Sequence, residues 1–321
     1  MRQTCAAVSR RISIVALLLF AFAFAYAPAG QAAPNHTISR YISTTDVSRW
    51  YDLGCLLGQA VANGSRPMDG TVFLAFGRPY YDGTSYGTII YNNSFRTTAQ
   101  IRQVAYNYGY GYYVCAPQGA TLEVSIGTTN LGGYTTFSHG QAWANMVDAT
   151  NDMYVNNCCI ADAVYASGAN DMELDWNPPA ATRAWGDGYN AAGDWWYNNF
   201  GDAAGCPPYG SCKNGWTQDD LWYVSWGIPA AFPFPQIYNE TGANAQQWQR
   251  VSLRGYTDHD GNSMLIMGAA AQYQACLDKG DPCTGVNNTA AQAWTQLYNE
   301  LNSDSRTAQD GQYSTDFSWN N

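Results

Sequence analysis

The chain predicts an α/β protein: a (β/α)8 TIM-type barrel, regular or irregular, with disulfide-stapled loops. Three observations predict it. Apolar, β-prone runs alternate with amphipathic helical patterns along most of the 321 residues, which argues for a parallel sheet. Residues 34–321 suit one barrel domain, and no linker, repeat or heptad interrupts them. No Gly-x-Gly-x-x-Gly follows any expected strand, which weighs against an open dinucleotide-binding sheet.

The elements follow in order. Residues 46–61 read as a helix capped by Asp46, with Trp50, Leu53, Leu57 and Val61 on one face. Residues 72–77 are the first expected strand. Thr97-x-x-Gln100 is a capping box opening a helix with the stripe Ile101, Val104, Ala105 and Tyr108, which Gly109 is expected to stop. A strand at 121–127 and a helix at 141–154 lead to a strand at 163–168. Asn177, with Pro178 at the first helical position, opens the next helix. Further strands are expected at 195–200, 221–226, 236–238 and 264–267, and helices near 244–251 and 289–301. The count is about seven strands, mostly separated by helices.

The N-terminus sets the compartment. Arg2, Arg10 and Arg11 precede an apolar run at 12–27, too short to span a bilayer comfortably. Residues 1–29 therefore read as a secretory signal peptide, cleaved after Ala29 or as late as residue 33; an uncleaved anchor is the alternative. The expectation is a secreted, extracellular, monomeric protein with no membrane association after cleavage. Of nine cysteines, Cys5 leaves with the signal. The remaining eight suggest four disulfides. Cys206 with Cys212 and Cys276 with Cys283 are expected to close local loops, and Cys55 and Cys115 to pair with Cys158 and Cys159 in an unassigned order. His36, His139 and His259 are not spaced as zinc ligands, so no metal and no cofactor is expected.

Charge narrows the partners. Without the leader arginines, 12 basic residues face 25 acidic ones, a net charge of about −13. Nucleic acid and anionic membranes are poor partners for such a chain. Abundant Trp, Tyr, Asn and Gln suit a neutral, hydroxyl-rich carbohydrate polymer.

The chemistry is expected in Val164–Trp176, where an apolar run ends in Asp171, Glu173 and Asp175. On an extended strand these three share one face. Crowded carboxyls cannot all ionise freely, so at least one pKa should rise. A proton-bearing carboxyl beside an ionised one is the equipment of glycoside hydrolysis. Glu173 is expected to be the acid and Asp171 to stay ionised, with Asp175 a further catalytic candidate. Asp202 and Glu123 are candidates for a second carboxyl, Glu123 more plausibly as a buried structural group. Trp176, Trp226 and Tyr238 could stack on sugars, and Gln236 and Asp202 could bind hydroxyls. Asp258-His-Asp-Gly-Asn262 lacks the glutamate of a calcium loop and reads as a polar turn. No serine-hydrolase or metalloprotease motif is present.

Gly168-Ala-Asn-Asp-Met-Glu173 with Trp176, and Ser225-Trp-Gly through Pro235-Gln-Ile-Tyr-Asn to Trp248, resemble a group of uncharacterised secreted bacterial barrel proteins. More distantly, Asp-x-Glu ending a strand with a later Pro-Gln-Ile-Tyr is similar to glycoside hydrolase family 25, the lysozyme-like muramidases. That resemblance implies an irregular (β/α) barrel, Glu173 as general acid and Asp171 as its electrostatic partner. The chain departs from it in lacking an early Asp-x-Ser-x-x-Gln strand, and it lacks the chitinase-type Asp-x-x-Asp-x-Asp-x-Glu. Two functions are therefore expected in order: a secreted glycosidase acting on a polysaccharide or cell-wall glycan, and a catalytically silent barrel that binds glycans or proteins. An acidic cluster that binds calcium is the third.

Overall fold

The computed structural model describes residues 31–156, 160–259 and 261–320. The expected signal peptide, Cys158 and Cys159 lie outside the described residues. Residues Ala33–Asn321 form one compact unit. In chain order its elements are β1 (Thr37–Tyr41), α1 (Val47–Ala62), β2 (Asp69–Ala75), β3 (Arg78–Tyr81), β4 (Tyr86–Ile89), β5 (Phe95–Thr97), α2 (Thr98–Cys115), β6 (Thr121–Thr129), α3 (Phe137–Asn156), β7 (Val164–Asp171), α4 (Pro179–Ala192) and β8 (Tyr197–Asn199). Then follow α5 (Gln218–Trp222), β9 (Ala231–Pro233), α6 (Ala243–Asp258), β10 (Gly268–Ala271), α7 (Tyr273–Asp278), α8 (Ala290–Leu301) and β11 (Tyr313–Ser318).

Eight strands pair in the order β10-β11-β1-β2-β6-β7-β8-β9, and β3-β4-β5 form a small antiparallel side sheet. Every ladder in the large sheet is parallel. Its two edges meet where Gln236 bridges Ala270 and where Met267 N–H donates to Pro233 O at 2.9 Å. The result is a nearly closed α/β barrel of TIM type, with helices between strands and three disulfides.

Local chemistry explains the helix starts. Asp46 accepts from Ser48 N at 3.1 Å, and Thr97 and Gln100 form the reciprocal capping box. The helix opened by Thr97 does not stop at Gly109; it runs to Cys115. Glycine serves packing there. A Cβ on Gly111 would lie 2.0 Å from Tyr51 O, and one on Gly54 would lie 1.9 Å from Tyr108 O. Backbones of α1 and α2 touch because these side chains are absent. That approach brings Cys55 and Cys115 to a Cα–Cα distance of 5.0 Å, within bridging range, and they pair with each other. The expected pairing of each with Cys158 or Cys159 is thereby corrected. The two local disulfides, Cys206–Cys212 and Cys276–Cys283, form as expected.

Other expectations also shift. Pro178 is the extended cap, and Pro179 takes the first helical position of α4. Residues 221–226 are not a strand. Thr217 and Asp220 make a capping box that starts α5, which continues into a π-type turn at Tyr223–Gly227. Residues 264–267 are irregular, and the strand begins at Gly268, where a Cβ would lie 2.2 Å from Tyr313 O. The first strand is β1, not 72–77. Strand β1 buries Thr37, Ser39 and Tyr41, and β11 buries Ser314, Thr315, Asp316, Phe317 and Ser318, so neither carries the continuous apolar run of a buried parallel strand.

The barrel interior is stacked in tiers, as in other closed parallel barrels. The middle tier is apolar: Phe73, Phe200, Phe234 and Phe317 pack with ring centroids 4.8–6.0 Å apart, beside Ala75, Ala169 and Ala270. Below it lies Glu123, fully enclosed. Its carboxylate accepts from Thr71 Oγ1 (3.0 Å), Ser167 Oγ (2.5 Å), Trp196 Nε1 (3.0 Å) and Asn198 Nδ2 (2.8 Å). Burial pushes its pKa up while the four donors pull it down. Glu123 is thus a structural carboxylate at the strand N-terminal end, separated from the mouth by the phenylalanine tier. A larger apolar core fills the space between strands and helices.

Candidate functional site

The candidate site lies at the strand C-termini. The β7 strand ends at Asp171, whose backbone carbonyl accepts from Asn130 N at 3.1 Å. The chain then turns, so Glu173 and Asp175 do not continue the strand face on which the sequence placed them. Two neighbours shape that turn. Buried Asn130, just past β6, accepts from Glu173 N (3.1 Å) and donates to Glu173 O (2.9 Å). Gly201, just past β8, lies so close that a Cβ would sit 2.3 Å from Met172 O. Met172 and Leu174 are buried in the outer core. Glu173 is left half-buried at the mouth, and Asp175 is thrown out to solvent.

Asp175 therefore stands at the solvent edge of the cluster, where its charge still raises Glu173 and Asp202. It pairs with Lys213 at 3.2 Å, both side chains about 60% exposed. The carboxyl that replaces it is Asp202, 5% exposed, which accepts from Ala204 N at 2.9 Å. The charge of Asp202 raises the pKa of both Asp171 and Glu173, and exposed Asp175 still acts on Glu173 and Asp202, so the site unites residues from the ends of β7 and β8.

Their environments differ. Asp171 is 3% exposed. Burial, and then the charges of Glu173 and Asp202, push its pKa well above the carboxylate range. Burial therefore favours its protonated form, against the expectation that it stays ionised. Burial and Asp202 raise Glu173 to about 7, against a lowering hydrogen bond from Tyr238. Burial raises Asp202 to about 6, with Ala204 N–H and Lys213 pulling the other way.

Polar residues from across the barrel hold the cluster. Tyr238 Oη donates to Glu173 Oε1 at 3.2 Å, and Gln236 Nε2 donates to Asp171 Oδ1 at 3.0 Å. Gln272 Nε2 donates in turn to Gln236 Oε1 and to Tyr41 Oη. Tyr41 stacks on Trp319 with centroids 4.4 Å apart, and Tyr91 meets both rings edge-on. Lys279 Nζ lies 3.9 Å above the Trp319 ring. A cavity of about 200 Å³ opens along Tyr41, Gln272, Lys279 and Trp319.

Of the residues expected to bind substrate, Gln236, Tyr238 and Asp202 join the cluster. Trp226 does not. It sits in the turn before β9, edge-on to Phe232, which meets the Trp196 that bonds Glu123, so it belongs to the opposite end of the barrel. Trp176 is half-buried in the turn after Glu173, its N–H donating to Glu173 O at 3.3 Å. The mouth aromatics are instead Tyr41, Tyr91 and Trp319. Tyr41 and Trp319 were hidden because they sit at the ends of the two polar strands, and Tyr91 because it lies in the turn between β4 and β5 of the side sheet. His139 is locked as a neutral structural group: Trp185 Nε1 donates to its Nδ1 at 3.0 Å, Nε2 faces Gly87 O at 2.9 Å, and burial lowers its pKa to about 4. His259 stacks on Trp222 and pairs with Asp219; Asp260 of the polar turn lies outside the described residues. Among the described residues, no group of three or more His, Cys, Asp or Glu side chains is placed to hold a metal ion. Nor is any described helix long and apolar enough to cross a membrane.

No family model matches the chain, and no curated protein matches it. Among solved structures it is similar to the apo homocysteine methyltransferase MmuM of Escherichia coli, at 10% identity over 89% of this chain and 92% of that one, with a TM-score of 0.44. It is also similar to a mandelate racemase/muconate lactonizing enzyme from Sulfitobacter sp, at 12% identity over 68% of this chain and 51% of that one, with a TM-score of 0.30. At such low identities and TM-scores neither likeness bears on the chemistry of the site.

Proposed function

We propose that the protein is a secreted glycoside hydrolase acting on a polysaccharide or cell-wall glycan, with Glu173 as the proton donor and Asp202 as the ionised carboxyl. The observation that carries this reading is the pair of carboxyls at one barrel mouth: Glu173, held by Asn130 and Tyr238, near Asp202, which is 5% exposed, with burial raising the pKa of both. Two such carboxyls, each disfavoured from ionising by burial, let one hold its proton while the other is charged, which is the division of labour glycoside hydrolysis requires. Protonated Glu173 would give its proton to the glycosidic oxygen as the bond to the anomeric carbon breaks. The Asp202 carboxylate would stabilise the cationic carbon that forms, and water would add to that carbon while losing a proton to the Glu173 carboxylate, which restores the acid.

Asp171 acts differently from its expected role. Buried and proton-holding, it anchors Gln236, and through Gln236 the Gln272–Tyr41 wall. That wall, with Trp319 and Tyr91, supports a sugar-binding role, since aromatic faces beside amides suit hydroxyl-rich rings. The leader-like N-terminus and the disulfides support an oxidising, extracellular setting.

The test is a hydrolysis screen over peptidoglycan, chitin and plant and microbial glucans, with Glu173→Gln and Asp202→Asn run in parallel. Turnover is expected in the wild type only, with a pH profile that falls on either side of a maximum between about 6 and about 7. Undiminished turnover in Glu173→Gln, or no hydrolysis of any polymer by the wild type, would overturn the reading.

A further inference from the structure

A second cleft, of about 450 Å³, lies on the loop that follows β8. Tyr209, Cys212, Trp216, Gln218, Arg250 and Arg254 line it. It differs in character from the mouth. Only 15 basic residues occur in the whole sequence, yet two arginines, one helical turn apart on α6, face this one space. Arg254 also pairs with Asp258 at 3.1 Å on the same helix. Arg250 has no carboxylate partner among the described residues. Its guanidinium lies 5.6 Å from the centre of the Tyr209 ring, and its Nε is buried without an acceptor. Tyr209 itself is 83% exposed, a large aromatic face held out on the Cys206–Cys212 loop.

The cleft is tied to the mouth by its wall. Trp216 Nε1 donates to Asn177 O at 2.8 Å, and Lys213, next to Cys212, pairs with Asp175. Asn177 and Asp175 belong to the same turn as Glu173. The wall of the cleft and the turn that carries Glu173 are thus in direct contact.

We infer that the Tyr209–Arg250–Arg254 cleft is a distal subsite for a carboxylate-bearing saccharide unit. The planar fork of arginine matches a carboxylate with two parallel hydrogen bonds, and the open Tyr209 ring offers a face for the sugar. Thr217 and Gln218 also line the cleft, with Thr217 Oγ1 engaged by Asp220 and Gln218 Nε2 donating to Pro207 O and Pro208 O. The net charge of about −13 without the leader arginines repels densely charged polymers, so the fit is to a glycan carrying sparse carboxylates on an otherwise neutral backbone. This names the substrate class within the glycosidase reading, but the binding it asserts does not depend on turnover.

The test is calorimetric titration of the full secreted chain with a tetrasaccharide ending in glucuronic acid and with its glucose-ended counterpart. The acidic ligand is expected to bind at least tenfold more tightly, with the difference shrinking as salt rises. Arg250→Gln should remove that preference. Tyr209→Ser, at a position too exposed to disturb folding, should weaken both ligands. Glu173→Gln should bind the acidic ligand as the wild type does, which keeps this result separate from any failure of catalysis. Equal affinity for the two ligands, or an undiminished preference in Arg250→Gln, would overturn the inference. So would loss of binding in Glu173→Gln with the Arg250 variant unaffected.

Discussion

Asn130 holds Glu173 by its backbone on both sides, accepting from its N–H at 3.1 Å and donating to its carbonyl at 2.9 Å. The side chain that bears the proton is thus aimed by an amide on the neighbouring strand end, 43 residues earlier in the chain. Asn130 is itself pinned, since its carbonyl accepts from Asn177 Nδ2 at 2.7 Å. Its own amide is fully buried, so the arrangement has little freedom to relax.

Asn130→Ala should therefore cost about 1–3 kcal/mol of stability, because two backbone groups of Glu173 lose their partner. Turnover should fall further than stability alone explains, as the carboxyl is no longer positioned. Urea unfolding and activity measured on the same sample would check both.

Tyr238→Phe removes the one side-chain hydrogen bond that favours ionised Glu173. The Glu173 pKa should rise above about 7. A carbon-13 carboxyl titration by NMR should show the shift, and the alkaline limb of any activity profile should move up with it. A fall in that pKa would contradict the electrostatic account of the mouth.

Stability should be greatest on the acid side of neutrality. Glu173 and Asp202 bind protons more tightly folded than unfolded, where carboxyls titrate near 4. Their protonated forms match the dry mouth fully below the unfolded value, and that contribution is lost as pH rises through about 6 and about 7. Thermal midpoints measured across this window should decline. Glu173→Gln, which cannot ionise, should flatten the decline.

Gly111→Ala should destabilise the chain by about 1–3 kcal/mol, since overpacking forces backbones apart. The added methyl would lie 2.0 Å from Tyr51 O, so α1 and α2 must separate. A differential scan should show the loss, with the Glu173 titration unchanged.

Glu123→Gln should also destabilise, because an amide nitrogen would face hydroxyl, indole and amide donors that now share a carboxylate. A cost of about 1–3 kcal/mol is expected. Chemical denaturation would measure it. The phenylalanine tier separates Glu123 from the mouth, so the pH profile of turnover should keep its shape.

Much of the fold was legible in local patterns. Capping boxes at Thr97 and Thr289, the aspartate cap of α1 and the apolar strands β2, β6 and β7 follow from side-chain type and spacing. Strands β1 and β11 escaped because their inward residues are Thr37, Ser39 and Thr315, polar groups satisfied only inside a closed barrel. The aromatic run at 221–226 misled in the other direction: its β-prone residues form α5 and the π-type turn, since the Thr217–Asp220 box and the packing against α6 outweigh propensity.

The sequence by itself determined the alternation that makes a parallel barrel, the two local disulfides and the acidic character of the β7 end. Those depend on neighbours within a few residues of one another. Only the tertiary structure decided which carboxyls meet, that Asp202 belongs with Glu173 while Asp175 faces water, and that Cys55 joins Cys115. A carboxyl's proton affinity is set by how much water surrounds it and which charges stand nearby, and both come from strands far apart in the chain.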